Sequence, residues 1–428
     1  MKNHLARLCV LAFGLILTGN GAAGEVQSAA PGTLTSGSYH YTLNEDGTAH
    51  LTGFEEGDTG GYALALPDQL DGHAVTGIAE SAFAFCANLT RVTIPESVLG
   101  IGDYAFAGCE LLADVTIPGS VISIGDYAFS GCEGLTSVTI PDSVTVIGAN
   151  PFSYCSKLTE IILPAVHPAL RVADGVLYSK ADSRLVFCLP KRGQSEYWVE
   201  DGTDIIGESA FVSSRGLMVV AIPQSVTIIG ENAFYGCEEL TGMIIPSSVT
   251  AIPDGAFYGC KGLMGVTIPS SVVSIGAYAF SGCEKLKRVT IPPSVASIGD
   301  KAFMDCKGLT GVAILGGIPR IADHVFDGCG ELSSVTIPDS VESIGSYAFF
   351  GCGELTRVTI PSRVLRIGDN AFENCEKLTA VRIPPSVVQI GNSAFEGCGP
   401  EFRILALEGS CAAVYAAGNG IPWGGEQP

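Results

Sequence analysis

Residues 135–158 read LTSVTIPDSVTVIGANPFSYCSKL, and a close copy of this string returns along most of the chain. Leu135, Val138 and Ile140 stand at L-x-x-L-x-L spacing, so Val138 and Ile140 alternate inward on a short strand while Thr139 faces out. Pro141 cannot donate to a sheet ladder and therefore ends the strand. Ser143 is placed to satisfy backbone groups in the turn that follows. Gly148 marks a bend where positive φ or close backbone contact is expected. The next stretch, clearest one unit earlier as Asp126-Tyr-Ala-Phe129-Ser-Gly-Cys132, reads as about one helical turn capped by the aspartate, with Phe and Cys on its inner face.

The period is 23 residues: Phe83, Phe106, Phe129 and Phe152, then Phe211 and eight further phenylalanines ending at Phe395. A repeat of this length means that each unit buries its apolar side only against its neighbours, so thirteen units stack into one elongated body with a long parallel sheet. The composition agrees, because 47% hydrophobic and 16% charged residues exclude disorder and require a large apolar interior. Acidic residues outnumber basic ones 44 to 23, a balance that repels nucleic acid and anionic membrane surfaces.

The repeated string LTSVTIPDSV-x-x-IGDYAFSGCEG, over about residues 75–400, resembles the BspA-like branch of bacterial leucine-rich repeat proteins. The fold expected is a leucine-rich repeat solenoid: a parallel β-sheet on one face, short helical turns and loops on the other, a β-hairpin cap at the N-terminus and a short helical cap at the C-terminus. Leucine-rich repeats usually carry Asn in the turn after the strand, where this chain tends to have Ser97, Ser120 or Ser143. The resemblance implies a secreted or cell-surface adhesin that engages extracellular-matrix or plasma glycoproteins, such as fibronectin and fibrinogen, or other cells. A scaffold for bacterial envelope proteins is the alternative.

The predicted divisions are a signal peptide at 1–24, the N-terminal hairpin cap at 25–75, repeats at 76–164, an irregular insert with a hairpin at 165–200, repeats at 201–400 and the C-terminal cap at 401–428. The leader is read from Lys2 and Arg7, an apolar run of Leu8 to Leu17 that is too short to span a bilayer, and the small residues up to Gly24. A cell-surface or secreted location is expected, with the periplasm open and no membrane span in the mature chain. Within the insert, Tyr197 and Val199 should point inward and Trp198 outward, beside a basic group of Arg171, Lys180, Arg184, Lys191 and Arg192. Trp198 is therefore one candidate contact, and Lys287, Arg288, Arg357 and Arg382, read as a basic cluster on the sheet face, are the others.

No catalytic residue, metal site or cofactor is expected. Twelve of the fifteen cysteines fall three residues after the repeat phenylalanine, a line of ligands and not a point on which zinc could be held. Neighbouring coils bring such Cα atoms within disulfide reach, yet a small buried hydrophobe fits the same column, so reduced core thiols are favoured and disulfides stay open. The six histidines are scattered, with no nucleophile signature nearby, and read as surface or cap residues.

Overall fold

The computed structural model describes residues 32–55, 60–189 and 195–424, so the expected signal peptide and residues 425–428 of the C-terminal cap lie outside the described residues. Each coil has three sides. On the first, Ser137–Thr139 pairs in parallel with Glu160–Ile162, Val138 opposite Ile161, and the flanking side chains face water. Sixteen strands occupy this column among the described residues, from Tyr62–Ala65 to Trp423–Gly424, so coils begin before and end after the thirteen phenylalanine repeats.

The second side went unread in the sequence. Ser123–Ile124 lies between Gly100–Ile101 and Val146–Ile147 in a parallel ladder of two-residue strands. The buried isoleucine of each pair, such as Ile124, enters the core opposite the first sheet.

On the third side the expected helical turn is absent. Tyr104 and Gly108 have φ of 56° and 72°, and left-handed residues at this spacing cannot continue a right-handed helix. Instead the N–H groups of Tyr104, Phe106 and Gly108 donate to the Asp126, Ala128 and Ser130 carbonyls of the next coil at 2.8, 2.7 and 2.7 Å. The stack thus supplies hydrogen bonds that a helix would make internally. The aspartate caps the following coil, not its own: Asp103 Oδ1 accepts the Asp126 N–H at 2.7 Å, and Asp126 Oδ1 accepts that of Ala149 at 2.6 Å. The bend glycine is required by close approach, since a Cβ on Gly148 would stand 2.4 Å from the Asp126 nitrogen. Ser120 acts as expected in the turn, its hydroxyl donating to the Val98 carbonyl of the previous coil at 2.7 Å, but Ser97 and Ser143 do not, their hydroxyls being buried with no hydrogen-bond partner among the described residues.

Inside, the phenylalanine rings stack nearly parallel, Phe106 on Phe129 at 5.3 Å and 3°, and Phe372 on Phe395 at 5.3 Å and 2°. Beside them runs a ladder of thiols. Cys109 donates to the Phe83 carbonyl of the preceding coil at 3.1 Å, and Cys260 and Cys283 repeat the contact to Phe234 and Phe257 at 3.2 and 3.3 Å. The cysteines among the described residues are free.

Burial pushes the thiols of Cys132, Cys260, Cys283 and Cys329 well up, and those of Cys237 and Cys398 up to about 12. The folded values lie above that of an unfolded thiol, near 8.5, so their contribution to stability is complete below that pH and is lost as pH rises toward 12. Urea midpoints are expected to hold level up to about pH 8.5 and to fall steeply above it. A midpoint unchanged at pH 10 would exclude the buried ladder.

The irregular interval carries a three-stranded antiparallel sheet, Leu170–Ala173, Val176–Ser179 and Arg184–Cys188, in place of a simple hairpin. It does not protrude. Arg184 and Leu185 continue in parallel with Ile205 and Ile206, so the third strand takes a coil's place in the ladder. The insert feeds both cores: Leu177, Val186 and Phe187 enter one cluster and Val176, Tyr178 and Leu185 the other, with a bulge at Val186 where the register shifts. The parallel ring stack breaks here, with Phe187 tilted 58° on Phe152 and Tyr197 tilted 57° on Phe211. Tyr127 clasps the seam, its hydroxyl 2.8 Å from Ser209 Oγ and 3.0 Å from the Glu208 carboxylate.

At the N-terminal end Tyr39–Leu43 and Ala49–Phe54 form the expected hairpin, extended by Leu34–Ser36. Ala49–Phe54 also pairs in parallel with His73–Ile78, and Tyr62–Ala65 with Leu89–Thr93, so coiling starts before residue 76. The far end carries the helix Cys411–Gly418, capped by Ser410, and Trp423–Gly424 closes the sheet.

Candidate functional site

The first sheet offers two rows of outward side chains, at the first and third residues of each strand, and these rows are the candidate surface. Trp198 stands in the second row with 65% of its surface exposed, while Tyr197 and Val199 are buried on either side of it. Register places Trp198 opposite Ala221, and Val219 opposite Gly242, which in turn is opposite Gly265. Gly242 and Gly265 have open space where a side chain would stand. Around this bare strip lie Ile244, Met218 and Met264, exposed by 73%, 44% and 55%. The patch is flat, apolar and several coils long.

The basic residues of the insert do not join it. The Arg171 guanidinium lies 3.9 Å from the Tyr178 ring centre and pairs with Glu200. Lys180 donates to the His167 carbonyl at 2.7 Å, and Arg184 to Ile147 O at 2.8 Å and the Asp182 carboxylate at 3.0 Å. These charges tie the insert to the coils around it, while Lys191 and Arg192 lie outside the described residues. His167 is likewise structural and not a surface residue: it is buried, with Nε2 3.0 Å from Pro141 O, and its Nδ1 accepts the N–H groups of Ala169 and Leu170 at 3.2 and 3.0 Å.

The four basic candidates downstream are exposed, but they do not form one cluster. Arg288 and Arg357 occupy the same row three coils apart, about 14 Å at strand spacing, with Gly311 and Ser334 between them. Lys287 reaches sideways to Glu331 at 3.4 Å. Arg382 is opposite Thr359 in the second row, one coil beyond Arg357. Arg403, passed over in the sequence because its coil has lost the repeat motif, is opposite Ala380 and returns to the row of Arg357.

Other polar groups are accounted for locally. Asp46 accepts from the Thr48 N–H and hydroxyl at 3.0 and 2.7 Å, bonds that lower its pKa and close the hairpin turn. His324 stacks on Tyr347 at 4.6 Å and approaches Asp327 at 2.8 Å. Among the described residues there is no group of three His, Cys, Asp or Glu side chains placed to hold a metal, and no helix long and apolar enough to cross a membrane.

Several solved structures share this architecture. A leucine-rich repeat protein from Bacteroides ovatus is 24% identical, with a TM-score of 0.50 over 92% of this chain and 100% of its own. A leucine rich cell surface protein from Faecalibacterium prausnitzii is 28% identical, with a TM-score of 0.51 over 91% of this chain and 98% of its own. No curated protein matches the chain. The model of the BspA type leucine rich repeat region matches residues 76–170, 204–330 and 319–410, and with the stacked coils just described it places the chain in the BspA-type leucine-rich repeat family.

Proposed function

We propose that this chain is an exported, non-enzymatic adhesin whose sheet face engages extracellular-matrix or plasma glycoproteins, or the surface of another cell. The observation that carries the reading is the exposed apolar patch that opens at Trp198 and runs on past the bare Gly242 and Gly265, because a water-facing tryptophan is the kind of anchor on which protein contacts concentrate their energy. Lys287, Arg288, Arg357 and Arg382 supply charge along the same face. A regular solenoid suits this task, since its long face collects many moderate contacts. The similarity to a protein described as a leucine rich cell surface protein supports the location.

The test is binding of the purified chain to immobilised fibronectin and fibrinogen. Saturable binding is expected, and Trp198→Ala should weaken it by about 30-fold, a loss of about 2 kcal/mol, with the circular dichroism spectrum unchanged. Equal binding by the variant would remove Trp198 from the site. Absence of binding to matrix and plasma glycoproteins, with capture of envelope proteins from the parent cell instead, would overturn the adhesin reading.

A further inference from the structure

The outward rows change character along the solenoid. In the strands up to Glu196–Trp198 they include Asp114, Glu160 and Glu196. From Gly242 to Leu405 the sixteen outward positions hold four arginines and no carboxylate, in a chain whose net charge is −21. Most other bases are paired, as Lys261 is with Glu238 at 2.6 Å and Lys377 with Glu354 at 2.7 Å. Arg288, Arg357 and Arg403 have no ion-pair partner among the described residues.

Three of the four form a regular figure. Arg357 and Arg403 stand in one row two coils apart, roughly 10 Å, and Arg382 sits on the coil between them, displaced two residues, about 7 Å, along the strand. This zigzag places arginines at even steps along the solenoid axis, with the exposed Thr359 beside them, and its two outer members, Arg357 and Arg403, carry no ion pair among the described residues. Guanidinium forks match carboxylate and sulfate groups with two parallel hydrogen bonds.

We propose that the C-terminal third of the sheet face binds an acidic polysaccharide, a glycan chain carrying carboxylate or sulfate groups at regular intervals, laid along the solenoid axis. The binding rests on the sheet face being the recognition face and is independent of any protein partner. An acidic peptide fits less well. The strands here are already paired to coils on both sides, so a peptide crossing them would find few partners for its own N–H and C=O groups. A pyranose chain has no such backbone to satisfy, and its hydroxyls exchange hydrogen bonds with threonine and water.

Isothermal titration of the purified chain would use heparin as the sulfated probe, hyaluronan as the carboxylated one, poly-glutamate as the acidic peptide and dextran as the neutral glycan. Binding of heparin, hyaluronan or both is expected, and which of them binds identifies the anionic group. The double substitution Arg357→Ala with Arg403→Ala should weaken binding about 100-fold, roughly tenfold for each charged hydrogen-bonding group lost. Both side chains are exposed, so the fold should persist. Arg91→Ala, in the acidic part of the face where Arg91 pairs with Asp114 at 2.8 Å, should leave binding unchanged. The proposal is overturned if neither polysaccharide binds, if the double variant binds like the parent, or if poly-glutamate or dextran binds as tightly as the polysaccharides. Loss of fibronectin binding alone would count against the glycoprotein reading and leave this one standing.

Discussion

Replacing Phe280 by alanine is expected to destabilise the protein by about 4 kcal/mol. Phe280 is fully buried, and its ring stacks on Phe257 and on Phe303, both at 5.2 Å and within 9° of parallel. Truncation removes the transfer energy of the ring, opens a cavity and breaks two aromatic pairs, each worth about 1 kcal/mol beyond buried area. Relaxation cannot recover much. The Phe280 N–H donates to Ala302 O at 2.8 Å, while its carbonyl accepts from the Cys306 thiol at 3.2 Å, so the backbone is held from the next coil by two bonds. Equilibrium unfolding in urea would measure the effect, and a loss below about 1 kcal/mol would mean that the stack is not what holds the coils together.

Gly299→Ala should cost about 3 kcal/mol through a different cause, overpacking against backbone. The added Cβ would stand 2.4 Å from the Ala277 nitrogen and 2.6 Å from the Gly276 carbonyl carbon, neither of which can rotate away. Moving the coil would stretch the bond from the Gly299 N–H to Ile275 O, 2.8 Å long, and with it the two-residue ladder. Gly265→Ala is the internal comparison: its Cβ would meet nothing within 4 Å, and the change should stay within about 0.5 kcal/mol. Equal thermal shifts for the two variants would show that the bend glycine is not demanded by close contact.

The architecture was readable because its signals are local and repeated. Val138, Ile140, Pro141 and Phe129 each announce a role from a neighbour at fixed distance, and stacking follows from the period alone. Three things were hidden. Tyr104 and Tyr127 adopt φ of 56° and 54°, conformations that tyrosine does not advertise and that only hydrogen bonds to the next coil make tenable. The apolar run Val176-Leu177-Tyr178 read as one half of a hairpin, yet it serves two cores, a fact that depends on contacts far along the chain. Of the candidate contacts, Trp198 could be placed by counting from Ile206, whereas the basic group mixed residues that share a face with residues already engaged elsewhere. Arg403 escaped because its position is set by pairing with Ala380, not by the motif.

The thiol ladder bears on how the chain reaches its final form. Each sulfur leans back on the coil made before it, Cys132 on the Phe106 carbonyl and Cys155 on that of Phe129. The coil laid down next then seals it from outside. A cysteine-rich polypeptide that winds from its first turn would therefore hide each sulfhydryl before many others had emerged to pair with it wrongly.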